Sequence, residues 1–133
     1  VLGAGGVGVV SLARHARTRR LYAVKAVGKP AVCNAGDGDG QAVLRLRRER
    51  DALLALRGHP CVVQLHATHA DARRVYFITE ACLGGDLFRL LDRYAPLSDA
   101  HAAFYAGAVL LALGAAHARG IAYRDLKPEN VLI

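Results

Sequence analysis

The chain contains no methionine and no tryptophan, and aromatic side chains make up only 6% of its 133 residues. Because an initiator methionine is absent, we expect the chain to be part of a longer protein. Basic residues concentrate in segments 14–20 and 45–50, and the net charge is +7. Such charge could attract nucleic acid, anionic lipid or phosphate groups. Neither segment contains aromatic side chains that stack on bases, so we expect solvated basic faces and no nucleic-acid partner.

Cysteine is also scarce. Cys33, Cys61 and Cys82 are odd in number, widely spaced and without a C-x-x-C motif. This pattern argues against a disulfide framework and favours a reducing, cytoplasmic location. Cys61 could form a metal site with His66 and His69, but no second pair of ligands follows them. We therefore interpret these three residues as parts of strands and turns.

The second half of the chain contains one long apolar run. The apolar run over residues 102–116 lacks charge but has only fifteen residues, whereas a membrane-spanning helix needs about twenty. We predict a buried core helix here and no membrane span. No signal peptide is visible in the sequence.

The first part of the chain has the pattern of strands around one helix. Residues 29–40 combine glycine with aspartate and predict a loop. Residues 41–58 carry apolar side chains at helical spacing, and Gly58 stands where a helix would stop. The remaining apolar segments are short and rich in β-type residues, which predicts strands over 1–13, 21–27, 61–70 and 74–81.

The second part of the chain predicts helices. A short helix is expected within 84–98, beginning near Asp86, and Ser98 can cap a further helix that runs to about Arg119. Strands with one embedded helix, followed by helices, indicate an α+β fold. We expect a β-rich lobe over residues 1–81 and a helical lobe over residues 82–133.

Gly3, Gly5 and Gly8 form the motif G-x-G-x-x-G, with Val10 two residues after it. In a dinucleotide-binding fold this loop must open a helix, but a second strand follows here. The other known context is a loop between antiparallel strands that lies over the phosphates of a nucleoside triphosphate. The alternative is a plain glycine-rich turn in a sequence that is rich in glycine.

Lys25 lies in the middle of an apolar strand and needs a carboxylate or phosphate partner if it is buried. Glu49 is the candidate partner, because it shares one side of the predicted helix with apolar residues. Asp51 competes, but it would point roughly 200° away around the helix. The alternatives are an edge-strand lysine facing water and a surface glutamate.

The segment YRDLKPEN near the end of the chain carries four polar residue types at fixed offsets. Asp125 could accept or orient the proton of a hydroxyl group, and Lys127 could neutralise a phosphoryl group. Asn130 offers a neutral oxygen that suits Mg²⁺, and Pro128 stiffens the turn. The alternative is an irregular surface loop.

These motifs, in this order, resemble eukaryotic serine/threonine protein kinase catalytic domains. Tyr123 with RDLKPENVLI is similar to the AGC-type group, and EACLGGDLF (residues 80–88) is similar to cGMP-dependent protein kinases. The resemblance implies a bilobal fold with a β-rich N-lobe and the first part of the helical C-lobe. It also implies ATP and Mg²⁺ as cofactors, basic protein substrates and a cyclic-nucleotide-binding domain elsewhere in the parent chain. The D-F-G motif is absent from these residues, so we expect the fragment alone to be inactive, and a pseudokinase is the alternative.

The resemblance also implies individual roles. Asp125 would be the catalytic base, Lys127 the phosphate clamp and Asn130 a metal ligand. Lys25, positioned by Glu49, would contact the ATP phosphates. Asp86 would reach the ribose hydroxyls and, with Glu129, face arginines upstream of the target residue. Thr79 would be the gatekeeper, and the residues expected to bind the nucleotide are Leu2, Gly3, Ala4, Gly5, Gly6, Val7, Gly8, Val9, Val10, Ala23, Lys25, Thr79, Glu80, Cys82 and Asp86.

Overall fold

The computed structural model describes residues 2–5, 8–29 and 38–133. Within them, strands with one helix come first and helices follow. This order confirms the predicted α+β class.

The chain divides into two compact units. The first contains Val1–Arg57 and Val63–Ala81, and the second contains Gly58–Val62 and Cys82–Ile133. The second unit therefore begins at Cys82 but also includes a short segment that precedes the last two strands of the first unit.

The first unit is built on a five-stranded antiparallel sheet in the order β1-β2-β3-β5-β4. Residues 1–13, expected to form one strand, instead contribute two, because the chain turns back between Gly5 and Gly8. A Cβ atom on Gly8 would lie 2.5 Å from the carbonyl oxygen of Ala26, so only glycine permits this approach of the second strand to the third. The strands are β1 (Gly3–Gly5), β2 (Gly8–Arg14), β3 (Leu21–Gly28), β4 (Leu65–Ala70) and β5 (Arg74–Glu80).

The strand predicted over 61–70 is wrong at its start, because β4 begins only at Leu65. The preceding residues form a local turn instead of a ladder. The backbone N–H of Cys61 donates to Nδ1 of His59 at 3.2 Å, and that of Val62 donates to the carbonyl oxygen of His59 at 3.2 Å. Pro60 lies within this turn and has no backbone N–H to give to a sheet.

Helix α1 (Gly38–Ala55) packs on the sheet and starts before the predicted boundary. The prediction of a loop over 29–40 is wrong for 38–40, and residues 30–37 lie outside the described residues. Glycine disfavours a helix by about 1 kcal/mol per residue, a local preference that tertiary packing can override. The fully buried Val27 packs against Leu46 of this helix and marks the core of the unit.

The second unit contains two helices whose starts agree with the sequence. Asp86 is the N-cap of α2 (Leu87–Tyr94), and Ser98 is the N-cap of α3 (Asp99–His117). Helix α3 is followed by Gly120, whose φ of 69° lies in the left-handed region that favours glycine.

The prediction of a buried core helix over residues 102–116 is wrong, because α3 is mostly exposed. Of its residues only Ala116 is buried, and Phe104, Leu110 and Leu111 are more than 60% exposed. Apolar side chains lie on every side of this helix, and the described elements of its unit cover few of them. By length and composition α3 could span a membrane, a criterion that core helices of soluble proteins also meet.

Candidate active site

The middle of β3 presents Lys25 and Val27 on the same face of the sheet, because side chains alternate along a strand. Their helical partners, Glu49 and Leu46, are three residues apart and therefore lie on one side of α1. A two-residue step along a strand covers about 6.7 Å and a three-residue step along a helix about 4.5 Å, so the two pairs can form together. The apolar contact of Val27 thus positions the helix for the charged pair beside it.

The ion pair predicted between Lys25 and Glu49 is present. Nζ of Lys25 lies 2.7 Å from Oε1 of Glu49, and the two side chains are 32% and 39% exposed. Nζ also lies 5.8 Å from the ring centroid of Phe77, which pairs with Lys25 across the sheet. The competitor Asp51 instead pairs with Arg50 at 2.7 Å. At this exposure such a pair contributes up to about 1 kcal/mol, so its main effect is to orient the lysine.

The glycine motif lies in a hairpin between antiparallel strands. Gly5, at the end of β1, pairs with Gly8, at the start of β2. This is the second of the two contexts considered for the motif, and it differs from the strand-to-helix turn of a dinucleotide fold. Gly6 and Val7, both predicted to contact nucleotide, lie outside the described residues.

Val9 and Val10, near the start of β2, point to opposite faces of the sheet. Val10 pairs with Lys25 and points to the same side of the sheet. Val9 points to the opposite side and is 44% exposed, so only its backbone could contribute to a site on the Lys25 face. The backbone N–H of Leu2 donates to the carbonyl oxygen of Val10 at 2.8 Å and extends the hairpin by one residue.

The end of β5 forms hydrogen bonds with Gln64 that were not predicted from the sequence. Ala23 pairs with Thr79, so these two predicted nucleotide-binding residues are neighbours. The hydroxyl of Thr79 donates to the carbonyl oxygen of Glu80 at 3.1 Å. The carboxylate of Glu80 accepts from the backbone N–H of Gln64 at 2.7 Å, and its own N–H donates to the carbonyl oxygen of Gln64. The contact lies where β4 pairs with β5 and depends on the register of these two strands.

In the second unit, each carboxylate oxygen of Asp125 has a side-chain partner. Oδ1 lies 3.1 Å from Nζ of Lys127. The side-chain nitrogen of Asn130 donates to Oδ2 and to the backbone carbonyl oxygen of Asp125, both at 2.8 Å. A 3₁₀ turn, Pro128–Asn130, returns the chain so that Asn130 meets Asp125. The structure therefore brings together all three residues that the closing motif singled out.

The charges in this cluster stabilise one another. The hydrogen bond from Lys127, followed by that from Asn130, lowers the pKa of Asp125. The same contact with Asp125 raises the pKa of Lys127. Both groups are therefore charged at neutral pH, and Asp125 is an acceptor in its ionised form.

The donor set of the cluster fits Mg²⁺, which prefers oxygen ligands. The amide nitrogen of Asn130 is directed at Asp125, which leaves the side-chain oxygen as the group that could ligate a cation. The carboxylate of Asp125 lies beside it. These residues would hold a magnesium ion that shields phosphate charge.

The alternative metal site of Cys61 with two histidines does not form. Within the described residues, no group of three or more His, Cys, Asp or Glu side chains could hold a metal ion. His66 contacts the ring of Tyr22 edge-on at 5.0 Å between centroids, and His69 stacks on Tyr76 at 6.0 Å. Both histidines therefore pack on aromatic rings of the sheet.

The two predicted substrate-facing carboxylates have different surroundings. Glu129 is exposed within the 3₁₀ turn. Asp86 caps α2 by accepting from the backbone N–H of Arg89 at 2.9 Å, and its second oxygen lies 3.4 Å from Nε of Arg89. The sequence analysis missed Arg89, although its spacing of three residues from an N-cap aspartate was a usable signal.

Comparison with known proteins adds an independent line of information. The family described as the protein kinase domain matches residues 1–133. Over all 133 residues the chain is 37% identical to a cGMP-dependent protein kinase of Plasmodium berghei (strain Anka), of which it covers 15%. It is 38% identical to a cGMP-dependent protein kinase of Toxoplasma gondii and to serine/threonine-protein kinase Sgk1-A of Xenopus laevis, covering 13% and 30% of them. The chain spans less than a third of the length of these relatives.

Proposed function

Because this chain belongs to the protein kinase domain family, we propose that the full-length protein transfers the γ-phosphoryl group of ATP to serine or threonine residues of basic proteins. The membership confirms the resemblance that the motifs indicated, and a relative named as a serine/threonine-protein kinase aligns with the whole chain at 38% identity. The residue roles below are part of the proposal.

The observation that carries this proposal is the arrangement around Asp125. An ionised carboxylate, held by Lys127 and Asn130, can accept a hydrogen bond from the hydroxyl of a target serine or threonine. It can take the hydroxyl proton as the new O–P bond forms and the bond between the γ-phosphorus and the β–γ bridging oxygen breaks, which releases ADP. Lys127 would place positive charge beside the phosphoryl group. Bound Mg²⁺ supplies charge neutralisation at the phosphates, and Asn130 would contribute one ligand to it.

The Lys25–Glu49 pair supports the same function from the first unit. A lysine held by a carboxylate can present its ammonium group to phosphate oxygens without a search among rotamers. Glycines allow the backbone of the β1–β2 hairpin to approach phosphate closely. Ala23, Val10 and Thr79 would line the nucleotide base on the same sheet.

The experiment compares the full-length protein with its Asp125→Asn variant. Both are incubated with ATP labelled in the γ-phosphate and a serine peptide with upstream arginines, and nucleotide binding is measured in parallel. We expect the variant to lose transfer by about 10²- to 10⁴-fold while it still binds ATP. Retained transfer would contradict the role of Asp125. ATP binding without transfer by the unmodified protein would instead support the pseudokinase alternative.

We also propose that a cyclic nucleotide activates the parent protein through a separate domain. The support is that relatives matching the whole chain are named cGMP-dependent protein kinases. We expect cGMP to raise the rate of peptide phosphorylation by the full-length protein, with cAMP as the comparison. An unchanged rate with both nucleotides would contradict this regulation.

A cytoplasmic location is proposed from the cysteines. The sequence has three widely spaced cysteines and no C-x-x-C motif, a pattern that favours a reducing compartment. Subcellular fractionation with an antibody to the protein tests this, and recovery from the culture medium would contradict it.

A further inference from the structure

Asp86 lies at the start of α2, and both of its carboxylate oxygens have a partner on the same residue, Arg89. Oδ1 accepts a hydrogen bond from the backbone N–H of Arg89 at 2.9 Å, and Oδ2 lies 3.4 Å from Nε of its guanidinium group. The side chain of Asp86 is 19% exposed, whereas that of Arg89 is 72% exposed. The carboxylate is therefore fixed in place while its cationic partner extends into solvent.

The two contacts differ in how easily a bound substrate could replace them. The contact through Oδ1 caps α2, whose first backbone N–H groups have no partner within the helix, so it must persist for the helix to keep its start. The contact through Oδ2 is an exposed ion pair, which is weak and screened by salt. Oδ2 is thus the oxygen with which Asp86 could bind a cationic side chain of a substrate. Arg89 already occupies that oxygen.

A second basic residue of α2 has a different environment. The guanidinium group of Arg93 lies 5.7 Å from the ring centroid of Tyr94. Arg89 and Arg93 therefore carry the same charge on the same helix, and the ion pair with Asp86 belongs to Arg89. This difference provides a matched control.

We propose that Arg89 is a specificity-determining residue that competes with the substrate for Asp86. The inference rests on the proposed function, in which Asp86 binds an arginine upstream of the target residue. A substrate arginine would have to displace Arg89 from Oδ2 and would meet its positive charge nearby. Both effects lower the preference of the enzyme for basic substrates.

The test uses the full-length protein and a set of serine peptides in which one arginine occupies successive upstream positions, compared with an all-alanine peptide. The measured quantity is the ratio of kcat/KM for the preferred arginine peptide to that for the alanine peptide. We expect Arg89→Ala to raise this ratio by about 1.5- to fivefold, the range of effects that exposed ion pairs produce. Arg93→Ala should leave the ratio at its wild-type value.

A double-variant cycle links the effect to Asp86. Asp86→Asn keeps an N-cap side chain but removes the charge, so the ratio should fall to about one. Adding Arg89→Ala to that variant should cause no further change. An unchanged or lowered ratio in Arg89→Ala, or an equal rise in the Asp86→Asn background, would overturn the inference.

The outcomes also separate this inference from the proposed function. If the protein phosphorylates the peptides but Arg89→Ala leaves the ratio of kcat/KM values unchanged, the proposed competition is wrong. Serine/threonine kinase activity would still be supported. Absence of transfer in the wild-type protein with every peptide would overturn the proposed function, and the competition with it.

Discussion

Nζ of Lys25 lies 2.7 Å from Oε1 of Glu49, whereas Asp51, two residues further along the same helix, pairs with Arg50. The orientation of α1 therefore decides which of the two carboxylates, Glu49 or Asp51, pairs with Lys25. The contact of Leu46 with the buried Val27 fixes that orientation. An apolar contact thus determines which acid meets the lysine.

The first prediction concerns this ion pair. Glu49→Gln replaces the carboxylate by a neutral group of the same shape, so Lys25 loses the partner that orients it. We expect phosphoryl transfer by the full-length protein to fall by about 10²-fold, while the free energy of unfolding changes by less than about 1 kcal/mol because the pair is partly exposed. Steady-state kinetics and thermal unfolding measure the two effects. Asp51→Asn is the control, and an equal loss of activity in it would contradict the specific role of Glu49.

A second prediction separates the two contributions of Asn130. Asn130→Ala removes both the side-chain oxygen and the donor to Asp125, so the Mg²⁺ concentration for half-maximal activity should rise by at least about tenfold. Asn130→Asp keeps an oxygen ligand and loses the donor, so it should raise this concentration less while it also lowers the maximal rate. Titration of activity with Mg²⁺ tests both variants. An unchanged Mg²⁺ requirement in Asn130→Ala would show that Asn130 is not a ligand.

A third prediction compares two glycines in the full-length protein. A Cβ at Gly8 would lie 2.5 Å from a backbone oxygen of Ala26, whereas a Cβ at Gly114 would meet no atom within 4 Å beyond its chain neighbours and the nearby backbone of its own helix. Gly8→Ala should therefore destabilise the first unit by about 1–3 kcal/mol through steric overlap between strands. Gly114→Ala lies in helix α3 and should stabilise it by about 0.5–1 kcal/mol. Denaturant unfolding measures both, and a stabilised Gly8→Ala variant would contradict the register of β2 and β3.

The fourth prediction concerns acid stability at the β4–β5 turn. The hydroxyl of Tyr76, followed by the backbone N–H groups of Arg73 and Arg74, lowers the pKa of Asp71 from 3.8 to about 2. A carboxyl whose pKa is lower in the folded state stabilises the fold fully above its ordinary pKa, and this contribution is lost as the pH falls from about 4 toward 2. Asp71→Asn should therefore cost more stability at neutral pH than near pH 2.

The measurement is the difference in unfolding free energy between the wild type and Asp71→Asn across that pH range. Tyr76→Phe removes the largest cause of the lowered pKa, so it should weaken the pH dependence without abolishing it. A difference that stays constant from about pH 5 to pH 2 would show that Asp71 titrates alike in both states.

Local features of the fold followed from the sequence where a few neighbouring residues decide the outcome. Ser98 and Asp86 predicted the starts of two helices, because an N-cap acts on backbone groups two or three residues away. The boundaries failed where packing or turns intervened. Helix α1 includes Gly38 against its local preference, and the turn at His59 delays β4.

Within the candidate site, too, contacts between near neighbours in the sequence were predicted, whereas a contact between strands was not. The offsets within YRDLKPEN were sufficient to single out Asp125, Lys127 and Asn130, because one short turn brings them together. The contact of the Glu80 carboxylate with the backbone N–H of Gln64 was not predicted, because it depends on the register of β4 against β5, which the strand pattern alone did not set.

The sequence by itself determined the kinds of elements, their order, the family motifs and the residues able to carry charge at the site. Those properties depend on side-chain chemistry and on spacings of a few residues. The tertiary structure alone decided the strand order β1-β2-β3-β5-β4 and the exposure of α3. These outcomes depend on which distant surfaces bury each other, and that free energy is not contained in any short segment.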